Sequence, residues 1–168
     1  MNFTTQIISH KNLDSSTLER IIKLKQCAWP YPKDSQMTWI QKNLKDDDLH
    51  IILMQAGRDV AYLNLCKVYS EINGEERSCM GIGNVCSVEK GKGYGNRLMR
   101  VTNEWLKSNE KTGLLFCHSN VEIFYSKCDW VKIDKDVCDI EGITPEVLVY
   151  AYNIPCSVLS LKYKDRFF

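Results

Sequence analysis

Glycines at alternate positions, Gly91, Gly93 and Gly95, follow a strand-like run, GIGNVCSV. They precede an amphipathic segment with Leu98, Met99, Trp105 and Leu106 at helical spacing. A strand, a Gly-rich turn and a helix start together make a place to hold phosphate. Backbone N–H groups point outward there and the helix dipole favours negative charge. Glycine also lets a ligand approach the backbone closely, because it has no Cβ. Lys90, Lys92 and Arg97 surround the turn and supply the cations that phosphate contacts use. The segment is not a P-loop, since G-x-x-x-x-G-K-[ST] is absent. Nor is it the dinucleotide fingerprint: its third glycine comes one residue early, and Asn96 fills the expected place.

The rest of the chain reads as a mixed sheet flanked by helices. FTTQIIS is a first strand. LDSSTLERIIKLKQCAW is a helix with Ser16 as N-cap and Glu19 completing a capping box; Pro30 and Pro32 end it. Residues 34–44 form a shorter helix. LHIILMQAG and DVAYLNLCKVYS are strands joined in a hairpin near Gly57, and Asn73-Gly74 marks the next turn. SCMGIGNVCSV feeds the glycine turn, and a helix runs from Gly95 to about Asn109. GLLFCHS is a short apolar strand of the kind found at a sheet's centre. NVEIFYSKCDW contains a short helix, WVKI starts a strand, and VLVYAYNI is another; SLKYKDRFF is left unassigned.

At 168 residues, 44% apolar and 26% charged, the chain fits a single globular domain, residues 1–168. A formal net charge of +1 gives no general attraction to nucleic acid or to an anionic membrane. No apolar run approaches the roughly 18 residues of a membrane span, and MNFTTQIISHK lacks a signal-peptide pattern, so a cytoplasmic location is expected. The eight cysteines lack C-x-x-C or zinc-finger spacing; free thiols, mostly buried and without a metal, are expected. Asp46-Asp47-Asp48 reads as a solvated turn, with attraction of a cationic amine as the alternative.

Two motifs in order resemble those of the GNAT superfamily of N-acetyltransferases. The family's [Q/R]-x-x-G-x-[G/A] segment is matched by Lys90-Gly91-Lys92-Gly93-Tyr94-Gly95, with Lys in place of Gln or Arg. A downstream l-Y-e-k-l-G-F segment is matched by Phe124-Tyr125-Ser126-Lys127-Cys128-Asp129-Trp130, where Asp129 replaces Gly and Trp130 replaces Phe. The resemblance implies an α/β (α+β) fold: a mixed, mostly antiparallel sheet flanked by helices, with a splay between strands four and five. It implies acetyl-CoA as co-substrate, without a metal. The pyrophosphate would lie on backbone N–H groups from Gly91 to Asn96, beside Lys90 and Lys92. The pantetheine arm would pair with backbone near Cys86 and Val88, and Asn120 would touch the cofactor.

By the same resemblance, a primary amine attacks the thioester directly and Tyr125 serves as general acid. Many members use a fourth-strand carboxylate as base, and SCMGIGNVCSV has none. Ser87, Asn84 and His118 could hold a relay water, with His118 the first choice among them; Glu89 adjoins the loop as a separate candidate carboxylate. A covalent role for Cys86 or Cys117 has no supporting His/Asp arrangement. Trp29 and Tyr31 fall where the family often lines its acceptor site. A small amine, an aminoglycoside-like sugar, an amino acid or a protein amine all remain open as acceptor, and so does a homodimer. The alternative is a catalytically weak acyl-CoA-binding or sensing module.

Overall fold

The computed structural model describes residues 2–168. The chain divides into two compact units: residues up to Cys66 with Gly83–Thr102 and Phe168, and Lys67–Ile82 with Asn103–Phe167.

In the first unit, β1 (Phe3–Ser9) pairs antiparallel with β2 (Leu49–Gln55), from Phe3↔Gln55 to Ser9↔Leu49. β2 pairs antiparallel with β3 (Arg58–Ile72) through a hairpin at Ala56-Gly57. Both turn residues have positive φ, 48° and 77°, the backbone that a two-residue type I′ hairpin needs. Ile51, Ile52 and Leu53 are all fully buried, so β2 is covered on both faces.

Two helices separate β1 from β2: α1 (Ser15–Ala28) and α2 (Lys33–Asn43). Asp14, not Ser16, caps α1, its carboxylate accepting the Thr17 N–H at 2.6 Å. Ser16 is already helical; Glu19 forms no capping box and instead pairs with Lys33 at 2.7 Å in solvent. Aspartate caps as well as serine does, so the earlier start wins. Arg20 ties α1 to the sheet through two bonds to the Asp59 carboxylate, 2.6 and 2.9 Å, and one to Gln6 at 2.9 Å.

The acidic run is not a solvated turn throughout. Asp48 is 1% exposed, and its carboxylate accepts the Lys45 N–H at 2.7 Å. Its backbone carbonyl accepts from His10 N–H at 2.7 Å, so the residue closes the connection that feeds β2.

β3 and β4 (Glu75–Ser87) contribute residues to both units. The Asn73-Gly74 turn that joins them again has positive φ, 54° and 81°.

In the second unit, Cys79–Gly81 of β4 pair in parallel with Thr112–Leu114 of β5 (Thr112–Cys117). That ladder ends at Gly81↔Leu114, while β5 continues to Cys117 paired antiparallel with β8 (Leu148–Tyr152). β8 also pairs antiparallel with β6 (Val131–Lys132). The unassigned tail SLKYKDRFF contains β9 (Leu161–Tyr163), which pairs with the end of β3 and in parallel with β7 (Cys138–Ile140). α3 (Tyr94–Ser108) runs through both units, and α4 (Glu122–Ser126) follows β5. The mixed, mostly antiparallel sheet expected from the sequence is present.

All eight cysteines are thiols. Burial pushes Cys79 and Cys117 up to about 11 and Cys86 up to about 12, so none of these three is a ready nucleophile. Among the described residues no group of three His, Cys, Asp or Glu side chains could hold a metal ion. Among the described residues no helix is long and apolar enough to cross a membrane.

Candidate active site

In the first unit, Gly91 and Gly93 form the turn between β4 and α3 with φ of 78° and 76°. These are left-handed values that a side chain disfavours. A Cβ at either glycine would meet nothing within 4 Å, so the turn presents an open backbone face. Gly95 differs: it lies inside the first turn of α3, without positive φ. The Arg97 N–H closes a helical bond there, to Gly93 O at 3.0 Å. The amides of Tyr94 and Gly95 lie at the opening of the helix, where anions bind.

Tyr94 anchors the turn. Its hydroxyl donates to Gln55 Oε1 at 2.9 Å, and its ring meets Phe3 edge-on at 6.4 Å. Arg97 lies over the Phe3 ring at 5.5 Å. Lys90 and Lys92 are exposed, Lys92 beside Glu89 at 3.9 Å. Of the two backbone positions expected to meet a pantetheine arm, Val88 already donates its N–H to Val60 O at 3.0 Å. Cys86 turns its thiol inward toward Leu24 O of α1, at 3.6 Å.

The same unit holds a cavity of about 500 Å³ lined by Lys25, Trp29, Tyr31, Gln36, Trp39 and Asn84. Trp29 and Tyr31 both line this cavity. The loop that carries them is pinned at the Trp29 carbonyl, which accepts from Tyr31 N–H at 2.7 Å and Gln36 Nε2 at 2.8 Å. Asn84 stands in β4 with φ of 54°, a left-handed residue inside a strand, which marks a local break in its pleat. Its amide donates to the buried Asn64 side chain at 2.6 Å.

In the second unit, Tyr125 lies on α4, 9% exposed, with its ring 5.0 Å from Phe124 and 6.2 Å from Tyr150. Burial raises its pKa, with Cys117 and Cys128 adding to the effect. The phenol is therefore held in its protonated, donating form. His118 and Asn120 are exposed on the turn after β5, where the His118 carbonyl accepts the Val121 N–H at 3.2 Å.

No family model matches the chain, and no curated protein matches it. Solved structures do. ElaA of Escherichia coli superposes with a TM-score of 0.64 at 20% identity, over 90% of this chain and 99% of that one. An acyl-CoA N-acyltransferase from Pseudomonas aeruginosa gives 0.63 at 17% identity, over 90% and 99%. The catalytic domain of the Tetrahymena GCN5 histone acetyltransferase, solved with coenzyme A, gives 0.63 at 13% identity, over 91% and 94%. The fold is that of the GCN5-related N-acetyltransferases.

Within this acetyltransferase fold the chain's departures from the motif have local explanations. Asp129, where the motif has Gly, has φ of 65°. Aspartate is among the side chains that tolerate the left-handed region best. Trp130, where the motif has Phe, is 3% exposed and donates its indole N–H to Asn103 Oδ1 at 2.9 Å. Gly113 on β5 makes room for it: a Cβ there would stand 2.4 Å from Trp130 Cη2.

The residue that sequence reasoning missed is Lys25. It is 2% exposed and lines the cavity with its ammonium 4.0 Å from the centre of the Trp39 ring. A signal existed: Lys25 falls on the apolar stripe of α1, four residues after Ile21 and three after Ile22.

Proposed function

We propose that residues 1–168 act as one acyl-CoA-dependent N-acyltransferase that moves an acetyl group from acetyl-CoA to a primary amine. The observation that carries this reading is the left-handed Gly91–Gly93 turn opening α3, in a chain with the acetyltransferase fold. The turn fits a pyrophosphate: open backbone on the side where side chains would be, helix-opening amides, and Lys90, Lys92 and Arg97 nearby. Cys86 and Val88 offer backbone for the pantetheine arm, chiefly through carbonyl groups at Val88 because its N–H is engaged. Asn120 is proposed as a further donor contact.

Bound there, acetyl-CoA supplies a thioester carbonyl carbon to the amine lone pair, so that a C–N bond forms as the C–S bond breaks. Tyr125 donates its phenolic proton to the departing sulfur. His118, through water, receives the proton that the amine must lose. The cavity holding Trp29 and Tyr31 is the proposed acceptor pocket, where aromatic walls orient the amine. Thiol release from acetyl-CoA in the presence of a primary-amine panel tests the reading. Thiol release that depends on amine and on the Gly91–Gly93 turn supports it. Coenzyme A binding without thiol release would instead make the protein a sensor.

A further inference from the structure

The cavity contains a charge for which the reaction above has no use. Lys25 is buried where α1 meets Trp39 of α2, and among the described residues the one group that favours its protonated form is the Cys86 thiol, not an aspartate or glutamate; Phe168 lines the same cavity. Among the described residues it makes no ion pair. Burying a cation without a counter-ion is costly, and the face of one indole offsets only part of that cost. Burial lowers the pKa of Lys25 to about 8, so the ammonium form still predominates at neutral pH. A monoanion placed in the cavity would satisfy this ammonium. The remaining walls, mostly aromatic, suit an apolar body, and about 500 Å³ accommodates a small molecule.

We propose that the acceptor is an amine that also bears a carboxylate, an amino-acid-like molecule whose carboxylate pairs with Lys25 and whose side chain lies against Trp29 and Trp39. The proposal rests on the cavity being the acceptor pocket. A phosphate would ask for more donors than one ammonium supplies. A carboxylate matches it in charge and leaves the side-chain oxygens of Gln36 and Asn84, whose amide nitrogens are already engaged, for the amine. The Lys25 charge also disfavours protonation of an amine nearby, which keeps that amine nucleophilic.

The test uses the full chain and three matched pairs: L-phenylalanine with phenethylamine, L-tryptophan with tryptamine, and L-methionine with 3-methylthiopropylamine. In the wild type, kcat/KM with acetyl-CoA should favour at least one amino acid over its decarboxylated partner by about tenfold or more. In Lys25→Met that preference should disappear. Thermal melting checks folding, and removal of a buried unpaired charge should not lower the melting temperature. Equal use of acids and amines, or a preference that survives in Lys25→Met, overturns the proposal. If no amine is acetylated, the acyltransferase reading fails and calorimetric titration of the same pairs, without acetyl-CoA, decides this one. Tighter binding of an amino acid, lost in Lys25→Met, upholds it; equal or absent binding overturns it.

Discussion

The Asn103 side chain joins two buried groups: its oxygen accepts the Trp130 indole N–H at 2.9 Å and its amide donates to the Cys128 carbonyl at 2.9 Å. One residue of α3 thus fixes the segment just after Tyr125. Asn103→Leu would remove the acceptor of the buried indole N–H and one donor to the Cys128 carbonyl. We expect a loss of about 2–4 kcal/mol in urea unfolding. A loss below about 0.5 kcal/mol would show that water replaces the asparagine.

The glycines of the phosphate turn should separate by conformation. Gly91→Ala and Gly93→Ala put a side chain at positive φ, where each should cost about 1 kcal/mol of stability and weaken coenzyme A binding. Gly95→Ala sits in α3, where alanine should be neutral or stabilising by up to about 1 kcal/mol. Chemical denaturation of the ligand-free variants reads the stability difference, and coenzyme A titration reads the binding one.

Tyr125→Phe should lower kcat about tenfold or more while leaving coenzyme A affinity unchanged. Burial already keeps this phenol protonated, so the wild-type profile should show no loss of the acid between pH 7 and pH 9. An unchanged kcat in Tyr125→Phe removes the residue from the chemistry.

Acid should destabilise the protein through His50. This residue is fully buried, its Nδ1 2.8 Å from the Tyr62 hydroxyl and its Nε2 3.0 Å from His10 Nδ1. Burial first, and then His10, lower its pKa from 6.5 to about 4. Between those values the unfolded chain binds a proton that the folded one refuses, so stability is present above about 6.5 and falls as pH drops toward 4. The window is worth up to about 3 kcal/mol, at about 1.4 kcal/mol per pKa unit. Urea unfolding at pH 7 and pH 4.5 should show the fall in the wild type, and a shallower one in His50→Gln.

Lys25 gives a slope at the other end of the scale. Its folded pKa of about 8 lies below the ordinary 10.5, so the unfolded chain binds more protons in between and stability should rise from pH 8 to pH 10.5. The rise should be absent in Lys25→Met. Unfolding at pH 8 and pH 10 measures it by difference, which cancels the other lysines.

The parts that sequence alone made legible are those where backbone conformation demands a residue type. Gly57, Gly74, Gly91 and Gly93 all have positive φ, and each marked its turn in advance. β7 and β9 were missed because three-residue strands carry too few alternations to show a period. Asp48 was read from its acidic neighbours, but its carboxylate serves a turn amide inside the fold. The signal at Lys25 is ambiguous for a different reason: a lysine on an apolar stripe reads as an exception until the cavity beside it is seen. Asn84, a relay candidate by sequence, shows the break it makes in β4 only through a backbone angle.

Gly113 and Trp130 occupy one volume between them. Since the indole fills the space of any Cβ at position 113, and Leu106 Cδ1 closes the same space at 2.9 Å, β5 can gain even a methyl group there only if the indole is made smaller. The substitution of Trp for Phe in the motif is therefore not an isolated change. It commits a second position, seventeen residues earlier in the chain, to glycine. Homologues with a smaller ring at 130 should be free to vary at 113, and the two sites should drift together.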